Sequence, residues 1–328
     1  MRRIKKIAAL LTVCAMCYSV SSTTMAFGAE PNDTPLENNS TIQQLLSNIN
    51  EKGDYTVAKI LKDSKENERY IYLPFTTGGY LIYDKDLDVV HEYSTITSNA
   101  YIEDNSEVYY AGALSYYEKN KENFVEIPTG KVIGTVADFA TMSNEVNTKI
   151  KENFTSKKVN FALSATKNSI SGSVPNYSYN PDGICGSTSA GMLLRWYDIY
   201  VNGKYVPSSL ESSDGVALIK NLRNYIDGSR PGSSTGDVYS GIMAYCKKQG
   251  VSHDGGYAIV DISYVVGRVD TYETPFILGL HNHPKYGNHW VTGYGYNVSG
   301  RSSYVTVNDG WGNRGVSINL INCDYIIW

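Results

Sequence analysis

Between residues 187 and 248 apolar side chains recur every three or four positions, and between 257 and 319 they alternate, so the C-terminal half reads as helices first and sheet second. Helices are expected at 187–200, 213–227 and 236–248, and strands of a β-meander at 257–260, 275–280, 289–297, 304–308 and 315–319. A chain that groups its helices before an antiparallel sheet has to bury their apolar stripes against that sheet, which makes the fold class α+β. On the first helix Ala190, Leu193, Leu194, Tyr197 and Ile199 form the stripe.

The N-terminal half follows a different pattern. Strand-like stretches at 55–61, 69–75, 79–83, 89–93 and 107–111 alternate with turn material and predict a small, mostly antiparallel β-domain. A helix is expected at 137–152, with Phe139, Met142, Val146 and Ile150 on one side. Ahead of this domain, Arg2, Arg3, Lys5 and Lys6 precede an apolar stretch from Ile7 to Val13, and small residues follow near Ala26 to Ala29; this is the pattern of a cleaved secretory signal. The organisation expected is a signal at 1–29, a flexible leader at 30–53, a β-rich domain at 54–160, a linker at 161–175 and an α+β domain at 176–328. The segment from Ser164 to Tyr179, rich in Ser, Asn and Gly, is the natural place for a proteolytic cut.

Composition narrows the partners. With 42% hydrophobic and 19% charged residues the chain is an ordinary folded protein, and no segment beyond the signal reaches the roughly 20 apolar residues that a membrane span needs. The formal charge is −4, and removal of the signal takes away cations and no acids, so a nucleic-acid partner is not expected. Cys14 and Cys17 leave with the signal; Cys185, Cys246 and Cys323 remain, an odd number that implies a free thiol in an exported protein. Cys185 is the candidate for an exposed one, because Cys246 fits the buried face of its helix.

Cys185 occupies a glycine-flanked turn, Asp182-Gly183-Ile184-Cys185-Gly186-Ser187-Thr188, that opens directly into the first helix. The positive end of the helix dipole there favours a thiolate. Far downstream His289 opens one alternating run and Asp309 closes another. Paired as a hairpin, the two strands put His289, Val291 and Gly293 on the face shared by Val305, Val307 and Asp309, with Asn308 turned away as the fallback for Asp309. A nucleophile, a base and an orienting carboxylate in this order suit acyl transfer. Asn180, five residues before the cysteine, is the candidate side-chain donor to the oxyanion, beside the Cys185 N–H.

Residues Asn180 to Tyr197, Pro275 to Tyr296 and Val305 to Gly312 resemble the papain-like cysteine peptidase superfamily, most closely the bacterial double-glycine (bacteriocin-processing) peptidases. Cys185-Gly186-Ser187-Thr188-Ser189-Ala190 matches the nucleophile motif, His289 with Gly293-Tyr294-Gly295 the histidine strand, and Asp309 the acid before a short turn. Papain has asparagine before Ser-Trp-Gly where this chain has Asp309-Gly310-Trp311-Gly312, and a second cysteine where this chain has Thr188. The resemblance implies a papain-like catalytic domain, catalysis by Cys185, His289 and Asp309 on polypeptide substrates without cofactor or metal, and a secreted zymogen whose pro-domain acts in cis.

Other readings compete with this one. A buried structural cysteine is the usual fate of a lone Cys, and His281, His283 and His289 lie close enough in sequence to evoke a metal site, although their spacing fits no zinc motif. A peptidoglycan amidase or endopeptidase, or a transglutaminase-like acyl transferase, would keep Cys before His. A secreted binding protein would keep the shell without the chemistry.

Overall fold

The computed structural model describes residues 35–156, 166–229, 232–280 and 289–328. The signal at 1–29, the first part of the linker, His281 and His283 fall outside the described residues. In the N-terminal half, helix α1 (Ser40–Ile49) precedes strands β1 (Lys59–Lys62), β2 (Glu68–Pro74), β3 (Tyr80–Asp84) and β4 (Val89–Ser94). A short helix α2 (Ala100–Glu103) leads to β5 (Tyr109–Tyr110), β6 (Tyr116–Asn120), β7 (Asn123–Glu126), β8 (Val132–Thr135) and the long helix α3 (Val136–Ser156). The C-terminal half contains β9 (Thr166–Ser169), α4 (Cys185–Tyr200), α5 (Val216–Arg223), α6 (Thr235–Lys248), β10 (Tyr257–Ile259) and α7 (Ile262–Val266). It ends with β11 (Phe276–Leu280), β12 (Trp290–Ser299), β13 (Ser302–Asn308), β14 (Arg314–Asn319) and β15 (Cys323–Ile327).

The class is α+β, and the five strands expected in the C-terminal half are present. Three departures from the sequence reading carry consequences. First, the strands of the two halves run on as one sheet, in the order β10-β15-β11-β12-β13-β14-β4-β3-β2-β1-β5-β6-β7-β8. The joint is an antiparallel pairing of β14 with β4, Val316 to Ser94, Ser317 to Tyr93 and Ile318 to Glu92. Second, the stretch read as linker supplies β9, which pairs with β12, and buries Ile170, Val174 and Tyr177. Third, the stretch read as a flexible leader supplies α1, whose Ile42, Leu45 and Leu46 pack against the sheet side chains Leu73, Leu81 and Tyr304.

Helix α4 is the centre of the C-terminal half. Every residue from Cys185 to Leu194 is buried, because the helix lies between the strands β11 and β12 and the helices α5 and α6; the Ile199 expected on its apolar face is half exposed at the far end. Gly279 on β11 makes room for the Trp290 ring, since a Cβ there would stand 2.7 Å from it.

Polar groups lock the joint between the halves. Asn322 Oδ1 accepts from the Ala113 N–H at 3.1 Å and faces His91 Nδ1 at 3.0 Å, while its Nδ2 donates to the Asn319 and His91 carbonyls. Asn297 Nδ2 donates to Tyr93 Oη, and Asn319 Nδ2 to the Val90 carbonyl. Replacing one such amide leaves several partners unsatisfied at once. Asn322→Ala is expected to lower stability by about 2 kcal/mol, read as a shifted urea midpoint with an unchanged slope.

Candidate active site

Cys185 is positioned by a turn that glycine makes feasible. Asp182 and Gly183 both take left-handed backbone angles (φ 58° and 73°), which reverses the chain after Pro181 and starts α4 at Cys185. Gly186 follows because nothing larger fits: a Cβ would lie 2.2 Å from Ser233 Oγ and 3.0 Å from Val238 Cγ2. Ser187 then donates, from both its N–H and its hydroxyl, to the carboxyl of Asp227, which caps the helix from a loop that the sequence reading passed over.

Strand β12 is stitched to this helix. Ser189 Oγ donates to the Trp290 carbonyl at 2.7 Å, and Thr292 Oγ1 donates to the Ser189 carbonyl at 3.2 Å. The Trp290 indole N–H is held by the Ser233 carbonyl. His289, the residue before Trp290, is thereby brought to the start of α4, where the main chain of Trp290 and of Gly186 hydrogen-bonds the Cys185 sulfur. Cys185, His289 and Asn180 line one cavity of about 460 Å³. The buried Asn180 Oδ1 has no hydrogen-bond partner among the described residues.

His289 is held on two sides. Its ring stacks on Trp311, with centroids 3.9 Å apart and planes 8° from parallel. Its Nε2 lies 2.8 Å from the Asp309 main-chain carbonyl. A carbonyl only accepts, so Nε2 carries the proton and Nδ1 holds the lone pair. The Asp309 carboxylate is directed elsewhere: it accepts from the Trp311 N–H, the Asn313 N–H and Asn313 Nδ2, and so folds the turn that presents Trp311 to His289. Register agrees with the strand-face argument, since Thr292 faces Asn308 and Gly293 faces Val307. Asn308 turns away and donates to the Val174 and Pro175 carbonyls.

Burial changes the electrostatics expected from sequence. The helix N-terminus was expected to favour an exposed thiolate, but Cys185 is only 3% exposed, and burial pushes its thiol up to about 12. Main-chain donors from Trp290 and Gly186 pull it down, and the charges of Asp227 and Glu126 push it further up. Burial also lowers His289 to about 4, against the bond to Asp309, and raises Asp309 to about 6 against its bonds from Trp311 and Asn313. At neutral pH the resting pair is a thiol and a neutral imidazole. Cys246 and Cys323 are buried free thiols like Cys185. Among the described residues no His, Cys, Asp and Glu cluster could hold a metal ion.

This state has a measurable signature. Iodoacetamide is expected to label Cys185 at pH 7 at least about tenfold more slowly than free cysteine, with a rate still rising above pH 9; a plateau below pH 8 would reveal a preformed thiolate instead. Asp309→Asn keeps an acceptor for the two turn N–H groups and is expected to retain the Trp311 stack, whereas Asp309→Ala is expected to release it, seen as a change in tryptophan fluorescence.

No curated protein matches the chain. Residues 172–322, the segment that carries Asn180, Cys185, His289 and Asp309, match the model of the Peptidase_C39 like family, and this match supports the papain-like cysteine peptidase superfamily and a cysteine peptidase activity.

Proposed function

We propose that the protein is a secreted cysteine endopeptidase that hydrolyses peptide bonds through an acyl-enzyme on Cys185. The observation that carries this reading is the single cavity shared by Cys185, His289 and Asn180, with the His289 ring tautomer set so that Nδ1 is the free base.

In the first step the Cys185 sulfur bonds to the substrate carbonyl carbon as its proton passes to His289 Nδ1, a transfer concerted with attack because no ion pair precedes it. The negative oxygen is met by the Cys185 N–H at the start of α4 and by the Asn180 amide. The imidazolium then protonates the leaving nitrogen, the C–N bond breaks, and a thioester remains. Water adds to it as His289 takes the water proton, and return of that proton to sulfur releases the carboxylic acid. Asp309 holds His289 through its main-chain carbonyl and, through its carboxylate, shapes the Trp311 turn.

Export through the signal at 1–29 and synthesis as a zymogen belong to the same reading. Residues 54–160 act in cis as the pro-segment facing the nucleophile, and the processing cut falls between Ser164 and Tyr179. Purified precursor in reducing buffer is expected to cleave itself in that segment and to clear casein but not purified cell wall in a zymogram. Cys185→Ala is expected to lose both activities, and His289→Ala to lose at least about 10³-fold in kcat/KM. Clearing of wall material alone would favour the amidase reading, and clearing of neither a binding protein.

A further inference from the structure

The cavity above Cys185 has two walls from opposite halves of the chain. The near wall carries Cys185, His289 and Asn180; the far wall is built from the loop after β5, the β7–β8 hairpin and α3, with Ala113, Tyr117, Ile133 and Met142 facing in. The far wall is fastened at the middle of its loop, by two adjacent N–H groups. Asn322 receives the Ala113 N–H, and Glu92 Oε2 receives the Leu114 N–H at 2.6 Å. A cut between Ser164 and Tyr179 breaks neither bond and leaves the β4–β14 pairing intact. The far wall therefore stays with the nucleophile after such a cut.

The charged side chains of this wall are Glu126, the last residue of β7, and Lys131, across the turn from it. Glu126 Oε2 accepts from Thr129 Oγ1, and its charge reaches both the Cys185 thiol and Lys131. A carboxyl facing an apolar cavity gains most from a cation that enters with it, and the surrounding aliphatic surface suits a long methylene stem. Burial raises the Glu126 carboxyl above its usual range, and the hydrogen bond from Thr129 and the charge of Lys131, which lines the same cavity, act against that effect.

We infer that Glu126 is a specificity-determining residue, which makes the cleft select a substrate with lysine or arginine next to the scissile bond. The inference rests on the peptidase reading and goes beyond it by naming the substrate class. It assigns the N-terminal half a part in the working enzyme as well as in its precursor.

The test uses the full chain and fluorogenic peptides that differ only in the residue on the acyl side of the cut. Wild type is expected to favour Lys or Arg over Gln at least about tenfold in kcat/KM, and Glu126→Gln to reduce that ratio below about threefold. Glu126→Lys is expected to move the preference to Glu. Equal rates on all peptides, or a basic preference that survives Glu126→Gln, would overturn the inference while leaving the peptidase reading intact. If wild type cleaves no peptide, the peptidase reading is what has failed. Calorimetry on the Cys185→Ala chain then decides Glu126 by itself: a lysine tripeptide amide is expected to bind at least about tenfold more tightly than its glutamine counterpart, and equal affinities would overturn the assignment.

Discussion

The hydrogen-bonded stitch between Ser189 on α4 and the Trp290–Thr292 stretch of β12 is the contact on which the site depends. The cysteine and the histidine are separated by more than a hundred positions, and neither could be placed within reach of the other by local structure alone. Ser189 lies one helical turn after Cys185, so fixing it to the carbonyl of the residue following His289 sets the separation of thiol and imidazole to within a side chain's freedom. Both Ser189 and Thr292 are fully buried, and each hydroxyl is satisfied by donating to a main-chain carbonyl. Gly186 and Gly279 serve the same contact, one by letting the helix start approach the Ser233 loop, the other by admitting the Trp290 ring.

Closing two ionisable groups into such a site determines which protonation states can rest there. Burial opposes charge on both Cys185 and His289, and two carboxyls, Asp227 and Glu126, add to the effect on the thiol. Water-poor surroundings strengthen every interaction with charge that develops in the proposed attack, so a neutral resting pair is compatible with that mechanism. The His289 imidazole and the Asp309 carboxyl have opposite linkage to stability. His289, lowered to about 4, adds stability that is complete above its usual value near 6.5 and is lost as pH falls toward 4; Asp309, raised to about 6, binds its proton more tightly when folded, so its contribution grows as pH falls through 6. Between about pH 4 and 6 the two trends offset one another.

Much of the C-terminal half was legible because its periodicities are long and its markers are local. Cys185 was found from the turn and helix around it, and His289 and Asp309 from their places at strand ends. The role of the Asp309 carboxylate was not legible, since alternation gives the face on which a side chain stands but not whether the main chain or the carboxyl meets the ring. Strands β6 to β8 were missed because Glu118 to Glu122 form a charged tight hairpin without an alternating pattern, and β9 because Thr166 to Ser169 is an edge strand with almost no buried side chain. Glu126 and Asp227 carry no sequence signal: each is an ordinary acid that acquires a neighbour only through a long-range contact. The separate N-terminal domain was the natural reading of a change in pattern, and a sheet edge that pairs across such a change leaves no mark in composition.

The joint between the halves shows why the cleft has a definite shape. A sheet pairing such as β4 with β14 would, on apolar contacts alone, tolerate a slip of two residues that keeps every side chain on its face. A slip of that kind would carry the loop holding Ala113 and Leu114 about 7 Å along the sheet and open the cavity. Side-chain amides remove the freedom. Within the N-terminal half the fully buried Glu92 collects the Leu114 N–H together with the hydroxyls of Tyr80, Tyr110 and Tyr116, so the loop moves with β4; Asn297, Asn319 and Asn322 each bond groups on the opposite half that are specific to one register. Any other alignment would strand several of these groups without partners in the interior, at a cost that apolar contacts could not offset. The polar joint is therefore what places Glu126 opposite Cys185, and the same hydrogen bonds that align the sheet also define the second wall of the cleft.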